Sequence, residues 1–176
     1  MNGRVLVAGI GNIFLGDDAF GGEVVQRLQR RPLPKGVRVE DFGIRSYDLV
    51  YALMEDWDLA ILVDALPRGG QPGTVYTLEP EVLAGNGSAT MADAHSMNPV
   101  SVLQMLDAMG AGKREKDGAI GARQQRLLVV GCEPATVEPD PEGNIGLSAP
   151  VKAAVEGAVS VIEDLIIRAR SDASAA

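Results

Sequence analysis

A chain of 176 residues, 46% apolar and 23% charged, is long enough to bury one full core and has the composition of an ordinary globular domain. Its net charge of −8 gives nucleic acid or an anionic membrane surface no electrostatic reason to bind. A single cysteine, Cys132, excludes an internal disulfide and fits a reducing compartment.

Met1-Asn2-Gly3-Arg4 leads straight into Val5-Leu6-Val7-Ala8-Gly9-Ile10, a short continuous apolar run that reads as a buried parallel strand. No signal-peptide core and no twin arginine precede it. No apolar run approaches the roughly 18–20 residues that span a bilayer, so a cytoplasmic protein without membrane insertion is expected. Ala19 to Arg30 reads as a helix, with Phe20, Val24, Val25 and Leu28 at spacings of three and four, stopped by Pro32 and Pro34. Val37 to Phe42 is a second strand. Ser46 is placed to cap a helix through Asp56 with Leu49, Val50 and Leu53 on one face.

Leu59-Ala60-Ile61-Leu62-Val63-Asp64 is a third strand ending on an acid. Pro67 to Gly73 cannot be helical. Thr74 to Glu79 alternates as a half-exposed strand does, and without a crossover helix before it this strand should run antiparallel to the others. A Gly/Ser/Ala loop leads to His95. Pro99 opens a helix to about Met109, a polar glycine-rich loop covers Gly110 to Arg126, and Arg126 to Gly131 forms a fifth strand. Ser148 is placed to cap a last helix to about Arg168, with Val151, Val155, Val159 and Ile162 toward the sheet. The order predicts a single three-layer α/β/α domain over residues 1–170, built on a five-stranded, mixed, mostly parallel sheet. Residues 171–176 read as a flexible tail.

Three residues can be read as one metal site: Asp18 in the loop after the first strand, Asp64 at the end of the third, and His95, the only histidine. Two carboxylates and one imidazole leave positions open on a divalent ion, which suits a site that acts on something. Each has an ordinary reading beside this one. Acids at a helix start are stabilised by its dipole, and Asp17 fits that role better than Asp18. A strand-ending aspartate can simply cap a turn, and a lone histidine is usually a surface residue. The trio gains weight because strands one and three deliver their acids to the carboxyl edge of the sheet, where open α/β proteins bind ligands.

Gly9-x-Gly11 resembles the start of a dinucleotide fingerprint, and Glu40 or Asp41 could stand for the ribose-binding acid. Position 14, however, is Phe14, and Asp17 and Asp18 would repel a pyrophosphate at the helix start. Cys132 reads as a small core residue without a base to activate it. Glu133, next to it, is a weaker candidate to support the site than Asp41. No Ser-His-Asp spacing, nucleophile elbow or His-Glu-x-x-His helix is present.

Gly9-Ile10-Gly11-Asn12 through Leu15-Gly16-Asp17-Asp18-Ala19-Phe20-Gly21 resembles the Gly-x-Gly-Asn-x-x-x-x-Asp-(Glu/Asp)-x-x-Gly opening of the nickel–iron hydrogenase maturation endopeptidases. The resemblance continues at Val63-Asp64-Ala65, Pro72-Gly73-Thr74, Ala94-His95-Ser96-Met97, Gly131-Cys132-Glu133-Pro134 and Gly146-Leu147-Ser148, spanning about residues 4–168. It implies that Asp18, Asp64 and His95 bind nickel, and that the nickel is carried by the substrate, a hydrogenase large-subunit precursor whose C-terminal extension is removed. In isolation another divalent metal could occupy the trio. Asp41 or Asp17 could serve as base, the protein is expected to be a monomer, and the metal is better supported as a recognition element than as a catalyst. The chain departs from the family at Asp41-Phe42-Gly43-Ile44, where Asp-Gly-Gly-Thr is usual, and in a longer charged stretch at 111–126. Two other readings stay open: a small zinc hydrolase using the same trio, and a nucleotide- or metal-binding module without catalysis.

Overall fold

β1 (Val5–Ile10) and β3 (Leu59–Ala65) are buried at every residue, as their unbroken apolar sequences require of central strands. The computed structural model describes residues 3–79, 98–109, 125–143 and 145–175. β2 (Val37–Gly43), β4 (Val75–Leu78) and β5 (Arg126–Cys132) complete a five-stranded sheet of order β2-β1-β3-β5-β4. The first four strands in that order are parallel, and β4 alone runs antiparallel, paired to β5. Thus the fold predicted from the order of elements is the fold found, including the reversed edge strand.

Alternate residues along each strand separate two cores. On one face Val5, Val7, Ile61, Val63 and Val130 meet α1 (Phe20–Gln29) and α4 (Ala149–Ala175). On the other, Leu6, Ala8, Ile10, Leu62 and Val129 meet α2 (Ser46–Leu53) and Val102 of α3 (Pro99–Ala108). Phe20, Val24, Val25 and Leu28 of α1 are all fully buried, each stabilising the fold by about 1.5–3 kcal/mol. Outside the core, α4 is joined to α1 by an Arg27–Glu156 ion pair and to the residues just after α1 by Arg31–Glu156 and Arg31–Glu163. Among the described residues no helix is long and apolar enough to cross a membrane.

Helix boundaries depart from expectation where tertiary contacts intervene. A 3-10 turn (Gly16–Ala19) precedes α1, which starts at Phe20 instead of Ala19. Neither serine caps with its side chain: Arg45 is the cap residue of α2, without a side-chain bond, and Ser148 Oγ donates to Asp17. α2 stops at Leu53 instead of Asp56. Asn98 does cap α3, its Oδ1 accepting the Ser101 N–H at 2.9 Å just before Pro99. α4 continues through Ala175, so the helix takes in most of the expected tail, whose alanines favour a helix and which holds no glycine or proline to stop one.

Candidate functional site

From β1 the chain goes to β2 on one side, and β3 lies on the other, so the carboxyl ends of β1 and β3 form the topological switch point of the sheet. A crevice opens there in folds of this type. The β1 loop supplies Asp18 and the end of β3 supplies Asp64. Gly11 separates them, with φ +125°. A Cβ at position 11 would stand 1.8 Å from the Asp18 carbonyl oxygen and 3.5 Å from Asp64 Oδ1, so only glycine lets the two acids approach. The loop is tied by its own residues: Asn12 N–H donates to Asp18 Oδ2 at 2.7 Å, and Phe14 N–H to Asn12 Oδ1 at 3.0 Å.

The two acids are in an unfavourable state as anions. Asp64 is buried, and its Oδ1 has no hydrogen-bond partner. Burial first, then the charge of Asp18, raises the Asp64 pKa well above the ordinary carboxylate value, against a smaller opposing bond from Ala65 N–H. Burial also raises the Asp18 pKa, opposed by the Asn12 N–H. A cation between the carboxylates would relieve both terms, and open coordination positions would remain for another molecule. Among the described residues no third His, Cys, Asp or Glu joins them. His95 and most of the charged stretch at 111–126 lie outside the described residues.

Asp17, one residue before Asp18, is engaged elsewhere. It is fully buried; Oδ2 accepts Ala135 N–H at 2.8 Å, Thr136 N–H at 3.2 Å and Ser148 Oγ–H at 2.9 Å, and Oδ1 accepts Ser148 N–H at 2.7 Å. Its carboxylate therefore fastens the β1 loop to the β5–α4 loop and to the start of α4. That geometry makes it a structural anchor and leaves it no free oxygen to work as a base. The helix start it serves is that of α4, and not that of α1, which follows it in sequence. Asp41, on β2 opposite Gly9, is half-buried and accepts Gly43 N–H at 2.9 Å through Oδ1, while Oδ2 lies beside Gly22 of α1.

Glu133, weighed only weakly from sequence, organises the loop after β3. Its buried carboxylate accepts Arg68 N–H, Gly69 N–H and Tyr76 O–H at 2.9–3.1 Å. Burial pushes its pKa up, but these bonds, with a further one from Gly70 N–H, outweigh burial and hold it below the usual value. A glutamate after a buried strand, facing a Pro-Arg-Gly-Gly run rich in free N–H groups, was the available signal. Cys132 is fully buried, and burial, then the charge of Asp17, pushes its thiol up to about 11, so it is not poised as a nucleophile. A cavity of about 710 Å³ lies beyond the 3-10 turn, lined by Gly16, Glu23, Arg27, Glu138 and Lys152 among others; the Asp18–Asp64 pair does not line it.

The profile of the hydrogenase maturation protease family matches residues 23–165. The chain belongs to that family. Hydrogenase 2 maturation protease of Escherichia coli (strain K12) is 30% identical over 161 residues, covering 90% of this chain and 88% of that protein. Hydrogenase expression/formation protein HupD of Rhizobium leguminosarum bv. viciae is 30% identical over 179 residues, covering 98% and 81%. The solved structure of the hydrogenase maturating endopeptidase HybD from Escherichia coli superposes with a TM-score of 0.70 at 29% identity, covering 94% of this chain and 93% of that one. Family membership makes the chain a peptidase of hydrogenase maturation. The profile match begins after Asp18 and takes in Asp41, Asp64 and His95.

Proposed function

We propose that this hydrogenase maturation protease removes the C-terminal extension of a nickel-loaded hydrogenase large-subunit precursor, and that Asp18, Asp64 and His95 recognise the nickel the precursor carries. The observation that carries the reading is Asp64 Oδ1, buried without a donor beside a second carboxylate. A protein does not ordinarily retain such a group unless something binds it. A substrate-borne cation supplies the missing partner at the moment of recognition, so the pair is stabilised only when the correct precursor is present. Nickel here is part of the substrate, and fixing it fixes the register of the scissile peptide against the sheet edge. Asp41, not Asp17, is the carboxylate proposed as base, since Asp17 already accepts four hydrogen bonds.

The test is cleavage of the large-subunit precursor with and without nickel loaded, read as a small mass loss at its C-terminus. Loaded precursor is expected to be cut and unloaded precursor to be spared. Equal rates on both would remove metal recognition from the reading and leave only the protease.

A further inference from the structure

Five exposed large apolar side chains lie on the β1 loop, the β2–α2 turn and α2. Ile13 and Phe14 project from the β1 loop, Ile44 from the β2–α2 turn, and Tyr47 and Tyr51 from α2; they are 47–65% exposed. Tyr47 and Tyr51 are four residues apart and share a helix face. The two loops are joined directly, Gly11 N–H donating to Gly43 O at 3.1 Å, and the base of the first loop is bonded to Asp18 itself through Asn12.

The platform beneath these side chains is fixed. Arg45 donates to Asp41 O at 2.6 Å and Phe42 O at 3.3 Å, pairs with Asp48 at 3.2 Å, and lies over the Phe42 ring. Arg45 N–H and Ser46 N–H close the turn on Phe42 O and Ile44 O. Three aromatic and two branched apolar side chains held in place, yet left in water, have the composition of an interface centre, where burial by a partner is gained at small ordering cost.

We propose that Ile13, Phe14, Ile44, Tyr47 and Tyr51 form the surface on which the hydrogenase precursor docks, through an apolar segment of the precursor next to its metal centre. The inference rests on the proposed function. The occupant follows from continuity: the family's substrate is a protein, and any protein that brings a cation to Asp18 covers the loop holding Ile13 and Phe14. The surface would supply affinity that is independent of nickel, while the acids test for the metal.

The experiment compares wild type with Phe14→Ser, Tyr47→Ser and the double variant, using the precursor that wild type cleaves, in nickel-loaded and nickel-free forms. Ile167→Ser, exposed on α4, is the control. Circular dichroism and Tm check folding, and Tyr51→Arg gives a second probe should the double variant unfold. The expected result is a KM for loaded precursor raised roughly tenfold or more in the double variant, with kcat within about twofold and the control unchanged. Binding of nickel-free precursor should weaken by the same factor. Wild-type KM in the double variant and in Tyr51→Arg would overturn the proposal, even with nickel discrimination intact. Loss of discrimination with the KM effect retained would overturn nickel recognition and leave the docking surface. Sedimentation that shows wild-type self-association abolished by the variants, with KM unchanged, would assign the surface to a second copy of this chain and overturn the proposal too.

Discussion

Asp17 and Asp18 are neighbours with opposite fates. The first lies inside four hydrogen bonds, while the second accepts one backbone N–H and faces a like charge. Asp17→Ala would remove a fully buried carboxylate and the acceptor of the 135, 136 and 148 N–H groups, and is expected to cost on the order of 3 kcal/mol, measured as a lower urea midpoint. Asp18→Ala, Asp64→Ala and His95→Ala should instead abolish processing with native circular dichroism; wild-type cleavage by any of them would remove that residue from the site. Asp64→Asn sharpens the contrast. It removes a buried charge that has an oxygen without a partner, so at pH 7 its Tm is expected to equal or exceed wild type while processing is lost, the pattern of a residue kept for function.

Elements were legible in the sequence wherever their pattern was local. The unbroken apolar runs marked β1 and β3 as interior strands, the spacing of Phe20, Val24, Val25 and Leu28 marked the buried stripe of α1, and the missing crossover before Val75 marked β4 as antiparallel. The carboxylate pair was legible for the same reason, because strand ends of a parallel sheet share an edge. What sequence could not reveal depended on distant partners. Ser148 looks like a cap, but its hydroxyl donates instead to Asp17, 131 residues away. Gly21 looked like a motif letter; a Cβ there would stand 2.2 Å from both Ile10 O and Val63 O, so it lets α1 rest directly on the ends of β1 and β3. Gly21→Ala should push the helix off two strands that cannot yield, costing roughly 1–3 kcal/mol or more in a denaturant titration. Glu133 holds the loop after β3 to β4 and β5, and its pKa is lowered in the fold. Its stabilisation is therefore complete above the unfolded value near 4.5 and is lost as pH falls through the folded value. Glu133→Gln should be less stable than wild type at pH 7, and the gap should narrow below pH 4.5; a gap that widens in acid would contradict the clamp.

For the molecule as a whole, the family makes the chain a peptidase of hydrogenase maturation, and under the proposed function its selectivity lies in its substrate's metal. The thiol contributes nothing: Cys132 is buried with its pKa pushed up to about 11, so Cys132→Ala should still process the precursor and alkylating reagents should not inhibit wild type. Under the proposed function the metal belongs to the substrate and not to this chain. A resident catalytic ion keeps an open position but still needs protein ligands strong enough to retain it through purification. Asp18 and Asp64 form no such set with any other described His, Cys, Asp or Glu, and adding His95 gives three ligands from three separate segments, a modest trap with positions left open. Under the proposed function the precursor arrives with its ion already partly coordinated, so these side chains have fewer positions to fill than on a free ion. The purified protein is therefore expected to carry well under one metal ion per chain by elemental analysis, and to leave casein and short unloaded peptides uncut. Stoichiometric, chelator-resistant zinc accompanied by cleavage of unrelated peptides would sink this account in favour of a general zinc hydrolase built on the same three side chains.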